Sequence, residues 1–250
     1  KIFAYRVLGA RRVKLPANTP AYWSELANIK ALASRDNELP IAFMNWRLSK
    51  FSLNSLGFSL TLYSVPAGVL TLFSLKQYEY HLPTGVFAVE AGDVVIDAGG
   101  CWGDSALRFA AQVGETGRVY SFEFVAANLD VFHQNLALNP CLKDKVEIVQ
   151  QPLWDVSSVP VYCLDNGPGS RVSFEPIADA AYQVDTVTID DWVAKNKLHQ
   201  VDFIKMDIEG AELPALRGAE TVLRRFRPKL AISVYHRLSD MVDIPRYLDQ

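Results

Sequence analysis

The clearest hydrophobic pattern lies in residues 86–250, where short apolar runs alternate with segments whose apolar positions recur every three or four residues. Such runs are typical of strands buried on both faces, and the intervening spacing is typical of helices that cover them. The predicted strands are residues 94–96, 118–123, 146–149, 201–206 and 229–235, and the predicted helices are residues 104–113, 126–138, 211–226 and 240–248. This alternation predicts the α/β fold class, with a doubly wound, mostly parallel Rossmann-like sheet and helices on both faces.

The preceding residues have a weaker pattern, and we predict that they form a cap that is helical up to about residue 40 and β-like afterwards. Thr19 and Pro20 predict a helix start, because a hydroxyl caps a helix and proline suits its first turn. Residues 66–68, with the sequence PAG, predict a turn. The predicted domains are therefore a cap, residues 1–85, and a core, residues 86–250.

One stretch interrupts the alternation within the core. Residues 156–189 hold several short β-like runs around the turn sequence DNGPGS, which predicts a β-hairpin insertion. At the other end, a doubly wound sheet usually has a covered or antiparallel edge, and no such strand follows residue 235. We therefore expect the natural chain to continue past residue 250.

Composition narrows the function classes. The chain has 250 residues, 50% of them hydrophobic, and a net charge of −3, so nothing attracts it overall to nucleic acid or to an anionic membrane. Its 3 cysteines have wide spacing and form no CxxC, which argues against a disulfide framework or a zinc site and favours a cytoplasmic protein. The basic run at residues 224–229 follows a predicted helix, whose C-terminus favours cations. The sequence leaves the oligomeric state open.

The stretch VVIDAGGCWGDSALRFA, residues 94–110, predicts a strand, a glycine turn and a helix. A dinucleotide site uses G-x-G-x-x-G, whose first glycine is replaced here by alanine; the turn instead contains Asp97, Gly99, Gly100 and Gly103. A pyrophosphate at the helix N-terminus would meet the negative charges of Asp97 and Asp104. S-adenosylmethionine, with its ammonium and sulfonium groups, suits this turn better. The alternative is that the glycines only permit a tight turn.

Residues after the next two strands extend the predicted cofactor site. Glu123 follows Gly103 by 20 residues and is placed to accept hydrogen bonds from both ribose hydroxyls. Phe124 is predicted to lie against the adenine, with Leu153 and Asp155 at its other face and its amino group. NAD sites use a similar acid, so an NAD(P)-dependent oxidoreductase stays an alternative, as does a non-catalytic nucleoside-binding or interaction protein.

Five motifs, DAGGCWGD, GRVYSFEF, VDTVTIDDW, VDFIKMDIEGAELPALRGA and ISVYHR, resemble those of the FkbM family of S-adenosylmethionine-dependent methyltransferases. The resemblance covers roughly residues 78–250, and KMDIEGAE is its most specific part. It implies S-adenosylmethionine as cofactor and O-methylation of a hydroxyl on a sugar, polyketide or other natural product. The partner would then be a small-molecule or glycan acceptor.

Asp207 and His236 are the predicted residues of the acceptor side, and Asp207 is also predicted to bind the cofactor near its methyl-donor end. Both follow neighbouring parallel strands, which lie about 5 Å apart, so they can face one pocket. A hydroxyl acceptor must lose a proton, and a histidine with a pKa near neutrality suits a general base. Two alternatives remain: a histidine that is only hydrogen-bonded at a strand end, or a pair that holds a divalent metal such as Mg²⁺. Tyr78 and Tyr80 precede the core and are candidates to close over the cofactor.

Overall fold

The first elements in the structure form the cap. This computed structural model describes Leu8, Arg12 and residues 19–177 and 182–250. The elements of the cap are α1 (Pro20–Ala31), β1 (Ala33–Pro40), β2 (Arg47–Ser52), β3 (Thr61–Ser64), α2 (Pro66–Val69), which continues as a π-helical turn over Leu70–Ser74, β4 (Tyr80–Leu82) and β5 (Gly85–Phe87). Strands β1, β2 and β3 form an antiparallel sheet, and β4 pairs with β5 as a hairpin.

The core consists of a parallel sheet, its helices and an insertion. Its elements are β6 (Val94–Ala98), α3 (Asp104–Gln112), β7 (Arg118–Phe122), α4 (Ala126–Ala137), α5 (Pro140–Lys143), β8 (Val146–Val149), β9 (Pro160–Leu164), β10 (Arg171–Ser173), β11 (Tyr182–Asp185), α6 (Ile189–Lys195), β12 (Phe203–Met206), α7 (Glu212–Arg217), α8 (Glu220–Phe226), β13 (Lys229–Ile232) and α9 (Asp240–Leu248). In the described residues the central sheet has the order β13-β12-β6-β7-β8, and every pairing within it is parallel.

Two hydrophobic clusters cover the two faces of this sheet. On one face, Val95 and Phe203 pack with α3, α4 and cap residues such as Phe51 and Phe73. On the other face, Ile96, Ile204 and Met206 pack with residues of α6 to α9. The predicted Rossmann-like α/β fold is therefore confirmed, and the cap shares its hydrophobic cluster with the core.

Several element predictions are confirmed and others are wrong. Thr19 caps α1, since its hydroxyl accepts a hydrogen bond from the Tyr22 amide at 3.2 Å. The prediction of helix up to about residue 40 fails for β1, because β2 pairs with it, and a local pattern does not reveal a partner strand. The predicted turn at residues 66–68 begins α2, where proline occupies the first helical turn. The remainder of the predicted N-terminal helical region lies mostly outside the described residues.

The core also departs from prediction in two places. The predicted hairpin insertion is a three-stranded antiparallel sheet with the order β10-β9-β11. The helix predicted over residues 211–226 is two helices, α7 and α8, separated by Gly218 and Ala219.

Surface charge and helix length bear on the partners. Within the basic run, Arg224 pairs with Glu220 at 3.0 Å and Lys229 pairs with Glu90 at 3.0 Å, so part of its charge is neutralised.

Among the residues that the structure describes, no helix is both long enough and apolar enough to cross a membrane.

Two asparagines, Asn135 in α4 and Asn139 just after it, attach the cap to the core. Asn135 accepts from the Tyr63 amide at 2.7 Å and donates to the Tyr63 carbonyl at 3.0 Å. One helical turn later, Asn139 makes the same pair of bonds with Thr61, at 2.9 and 2.6 Å. Their side-chain amides thus satisfy the edge of β3 as a further strand would, and both asparagines are buried.

We expect Asn135→Ala to lower the free energy of unfolding by about 1 to 3 kcal/mol, because it leaves two backbone groups of β3 buried without a partner. Urea unfolding measures this change. Asn28→Ala, on the exposed side of α1, is the matched control and should change stability by less than about 0.5 kcal/mol. Equal stability of the two variants would show that the amides do not hold the cap.

Candidate functional site

A cavity opens at the carboxyl ends of the parallel strands. Ligands of open α/β sheets bind at this end. The lining comes from five segments: 99–101, 122–128, 151–153, 167–172 and 207–211. Of the residues predicted to bind a cofactor, the cavity is lined by Gly99, Glu123, Phe124, Leu153 and Asp207, whereas Asp97, Gly100, Gly103 and Asp155 do not reach it.

The glycine turn is shaped by its contacts with the protein. Gly99 has a left-handed backbone, with φ of 84°, and a Cβ atom there would lie 2.1 Å from the Asp207 carbonyl oxygen. Cβ atoms at Gly100 and Gly103 would likewise collide with Phe132 of α4. The three glycines therefore let β12 and α4 approach the turn that borders the cavity.

Beneath the turn, a row of polar side chains crosses three strands. Asp97 of β6 lies opposite Lys205 of β12 and Ser121 of β7 in the parallel register. The Asp97 carboxylate is fully buried and 3.1 Å from the Lys205 ammonium. It also accepts hydrogen bonds from Ser121 at 2.8 Å and from Ser105 of α3 at 3.0 Å. Asp97 is thus neutralised inside the protein, which corrects the expectation that its charge meets the cofactor.

Lys205 completes this network and was missed by the sequence analysis. Its ammonium donates to the carbonyl oxygens of Ala98 at 3.0 Å and Gly99 at 2.6 Å. Burial lowers the pKa of Lys205, but attraction to Asp97, Tyr78 and Asp207 and the hydrogen bond to Asp97 together outweigh burial, so its pKa is raised. Lys205 therefore stays charged and fixes the first residues of the turn. The available signal was a lysine within the otherwise apolar run FIKM.

Glu123 lies at the end of β7 with its carboxylate turned towards the cavity. One oxygen, Oε1, accepts from the amides of Phe124 and Val125, each at 2.7 Å. The other, Oε2, accepts from the Asn128 side chain at 3.2 Å. Burial raises the pKa of Glu123 to about 6, although these hydrogen bonds favour the ionised form. Its orientation is therefore fixed before any ligand binds.

The adenine side differs from prediction at one position. Phe124 and Leu153 line the cavity, with Leu153 held by a bridge to Val187. Asp155 is exposed and lies outside the cavity, whose lining there is Gln151 and Pro152. The chain after β8 has already left the cavity when it reaches Asp155, a path that the residue spacing does not reveal.

Asp207 and His236 do converge, but with partners that the sequence analysis left out. The Tyr235 hydroxyl donates to Asp207 at 2.8 Å, and His236 Nε2 lies 3.4 Å from Asp207 and 3.5 Å from Glu209. His236 Nδ1 lies 2.8 Å from Glu212, which is fully buried and accepts from two backbone amides.

These carboxylates change the expected chemistry of the imidazole. Burial lowers the pKa of His236, but hydrogen bonds and attraction to Glu209 and Glu212 outweigh burial and raise it to about 10. The expectation of a pKa near neutrality is wrong, since the surrounding acids hold the proton. At neutral pH the imidazole is a cation and cannot accept a proton from an acceptor.

Asp207, Glu212 and His236 could each offer one ligand atom to a metal ion, and these atoms lie within 4.8 Å of one another. The 2.8 Å separation of His236 Nδ1 and Glu212 Oε1 is a hydrogen-bond distance. A cation would therefore have to displace the proton between these two atoms or bind on the Nε2 side, next to Asp207.

The two candidate tyrosines of the cap lie in different places. The Tyr78 ring is 6.0 Å from the Lys205 ammonium, and burial raises the pKa of Tyr78 to about 12. Tyr80 is 65% exposed on the β4–β5 hairpin. Neither lines the cavity, so closure over a cofactor by either is not seen in this structure.

We expect Lys205→Met to lower the free energy of unfolding by about 3 to 5 kcal/mol, because it leaves the Asp97 charge buried without a partner. Urea unfolding at neutral pH measures the loss. The double variant Asp97→Asn/Lys205→Met removes both charges and should be more stable than Lys205→Met. If the double variant is the less stable of the two, the buried ion pair does not govern this region.

Comparisons with known proteins identify the family to which this chain belongs. A family model described as the methyltransferase FkbM domain matches residues 92–250. No curated protein was found to match the chain. Among solved structures, the chain resembles methyltransferase FkbM from Methylobacillus flagellatus, with a TM-score of 0.51 and 19% identity over 91% of this chain and 52% of that one. The chain therefore spans about half the length of that protein.

Two further solved structures have lower scores. One is a putative rRNA-methylase from Clostridium thermocellum, with a TM-score of 0.41, 14% identity, and coverage of 64% of this chain and 72% of that one. The other is a fibrillarin from Aeropyrum pernix in complex with S-adenosyl-L-methionine, with a TM-score of 0.38, 12% identity, and coverage of 73% and 65%. Because the family model matches more than half of its residues, the chain belongs to the FkbM methyltransferase-domain family.

Proposed function

We propose that this protein binds S-adenosylmethionine and transfers its methyl group to a hydroxyl of a small-molecule or glycan acceptor, such as a sugar or a polyketide. The observation that carries the proposal is Glu123, a buried carboxylate held by backbone amides at the wall of the cavity. Sites for small ligands and cofactors are concave and hold a few fixed polar groups of this kind. Family membership supports the same reading.

The residues of the cavity fit the parts of this cofactor. When bound, S-adenosylmethionine supplies an electrophilic methyl group on a sulfonium. Glu123 would accept from the ribose hydroxyls, and Phe124 and Leu153 would pack against the adenine. Gly99 and Asp207 border the cavity at the neighbouring strands, where the negative charge of Asp207 favours a cationic donor.

The start of α3 argues against an NAD(P)-dependent oxidoreductase. A pyrophosphate would need the free amides of this helix N-terminus. Here the Asp104 carboxylate accepts from the Ser105 amide at 3.0 Å, so one amide of this helix N-terminus is already bonded within the protein. Because Asp97 is paired with Lys205, the argument rests on Asp104 and no longer on Asp97.

On the acceptor side we assign the proton-accepting role to Asp207. The Tyr235 hydroxyl and the charged His236 imidazole both contact its carboxylate and would orient it towards the cavity. His236 then acts as a positioning residue, because its own proton is held by Glu209 and Glu212. Asp207 and Glu209 both line the cavity with carboxylate oxygens able to receive a proton, and we choose Asp207 because Tyr235 donates to it and would orient it.

We expect S-adenosylhomocysteine to raise the melting temperature and NAD to leave it unchanged. Glu123→Ala should weaken S-adenosylhomocysteine binding by about 1.5 to 3 kcal/mol, because charge-assisted hydrogen bonds to the ribose are lost. Calorimetry measures both ligands. Tighter binding of NAD would contradict the proposal, and binding of S-adenosylmethionine without turnover on an acceptor panel would favour a non-catalytic nucleoside-binding protein.

We expect Asp207→Asn to lower kcat about a hundredfold or more, with S-adenosylhomocysteine affinity changed by less than about tenfold. His236→Gln should lower kcat less. Because the pKa of His236 is about 10, the wild-type rate should show no limb from this residue between about pH 6 and 8, and activity should fall as His236 loses its proton near pH 10. A neutral limb that disappears in His236→Gln would restore histidine as the base.

The same assay tests a divalent cation such as Mg²⁺ on the Nε2 side of His236. EDTA should leave the rate unchanged if the imidazolium alone positions Asp207. Loss of activity with EDTA, recovery with Mg²⁺ and a requirement for both Asp207 and His236 would instead assign the site to a metal.

A further inference from the structure

The insertion, residues 156–186, contacts the core beside the proposed ribose site at two described points. Tyr182 of β11 donates to the Phe124 carbonyl at 2.7 Å and accepts from the Ala126 amide at 3.2 Å. Asn128 of α4 donates to the Gly167 carbonyl at 3.2 Å. Both contacts fall on residues 123–128, the segment that presents Glu123 and Phe124 to the cavity.

Asn128 also contacts the ribose-binding acid. Its side-chain nitrogen donates to Glu123 Oε2 at 3.2 Å as well as to Gly167, and the residue is only 3% exposed. A primary amide has two N–H groups, so one nitrogen can serve both acceptors at once. The carboxylate of Glu123 and the backbone of the insertion are therefore joined through a single buried group.

The turn at Gly167, which Asn128 contacts, has two further contacts, one within the insertion and one with the cap. The Ser170 hydroxyl donates to the Gly167 carbonyl at 2.6 Å. Gly167 packs so closely on Phe43 of the cap that a Cβ atom would lie 2.6 Å from the ring. Because Gly167, Pro168, Ser170, Arg171 and Val172 line the cavity, the position of this turn decides the shape of one cavity wall.

We propose that Asn128 is a positioning residue that fastens the insertion to Glu123, so that the insertion forms a wall of the cofactor site. The inference rests on the proposed function, since it takes Glu123 as the ribose acceptor. It adds that cofactor affinity depends on an amide donor that contacts the carboxylate at the cavity wall. Asn128 both holds Oε2 in place and keeps the Gly167 turn against the ribose side.

The sharpest test replaces the amide with an acid of the same shape. The probe is 5′-methylthioadenosine, which carries ribose and adenine but lacks the ammonium and carboxylate of the amino acid, so its pH-dependent binding between about pH 5 and 9 reports the protein. In the wild type, affinity should fall several-fold as pH drops through about 6, because Glu123 becomes protonated and loses its charge-assisted bonds.

Asn128→Asp should reverse this dependence. Below about pH 6 the two carboxyls share a proton, and an Asp O–H can donate to Glu123 as the amide does. At about pH 9 both are ionised and repel each other, so affinity should fall about tenfold. Calorimetry at several pH values measures the profile, and a wild-type profile in this variant would overturn the proposal.

Tyr182→Phe is the matched control, since it removes the other contact of the insertion and leaves the Asn128–Glu123 pair intact. It should bind the probe several-fold more weakly with the wild-type direction of pH dependence. A reversed profile in Tyr182→Phe would overturn the proposal, because the reversal would then not come from the pair of acids.

Asn128→Ala keeps the proposal testable if the acidic variant does not fold. It should bind about tenfold more weakly near neutral pH. In the wild type, the probe should slow hydrogen exchange in residues 160–173, and this effect should be lost in Asn128→Ala. Unchanged affinity and protection would overturn the role of Asn128. If the wild type binds neither the probe nor S-adenosylhomocysteine, the proposed cofactor itself fails.

Discussion

The buried ion pair between Asp97 and Lys205 is the interaction on which the rest of the site depends. Neither charge can be left alone in this interior, because an unpaired buried charge costs several kcal/mol. The pair is satisfied by Ser105 and Ser121 on the aspartate side and by the carbonyls of Ala98 and Gly99 on the lysine side. It therefore fixes the strand ends, the start of α3 and the path of the glycine turn together.

The two halves of the proposed site lie on either side of this turn, one at the end of β7 and the other at the end of β12. On the β7 side, a buried carboxylate is held by backbone amides and by Asn128, which suits recognition of neutral hydroxyls. On the β12 side, Asp207 is partly exposed and is held by Tyr235 and the charged His236. Under the proposed function one acid would serve binding and the other chemistry, and the difference comes from their neighbours.

The described residues of the cap support the site by packing against the core, and they do not line the cavity. Asn135 and Asn139 join β3 to α4, and the fully buried Arg108 of α3 pairs with Glu79 while packing on Phe58 and Phe73. Together with the shared hydrophobic cluster, these contacts hold the cap against the face of the sheet that carries the ion pair. The cap therefore stabilises the helices whose N-termini border the site.

The sequence by itself determined the alternation of strands and helices, the glycine turn and the acid that ends β7. These features are local: burial on both faces produces continuous apolar runs, and a tight turn requires glycine. It did not determine that β1 is a strand, because its partner β2 lies elsewhere in the chain. Only the tertiary structure decided what each charge meets. Register placed Lys205 opposite Asp97, and the path after β8 left Asp155 outside the cavity. The carboxylates of Glu209 and Glu212 set the protonation of His236. Such neighbours are brought together by folding across strands, and residue spacing along the chain carries no information about them.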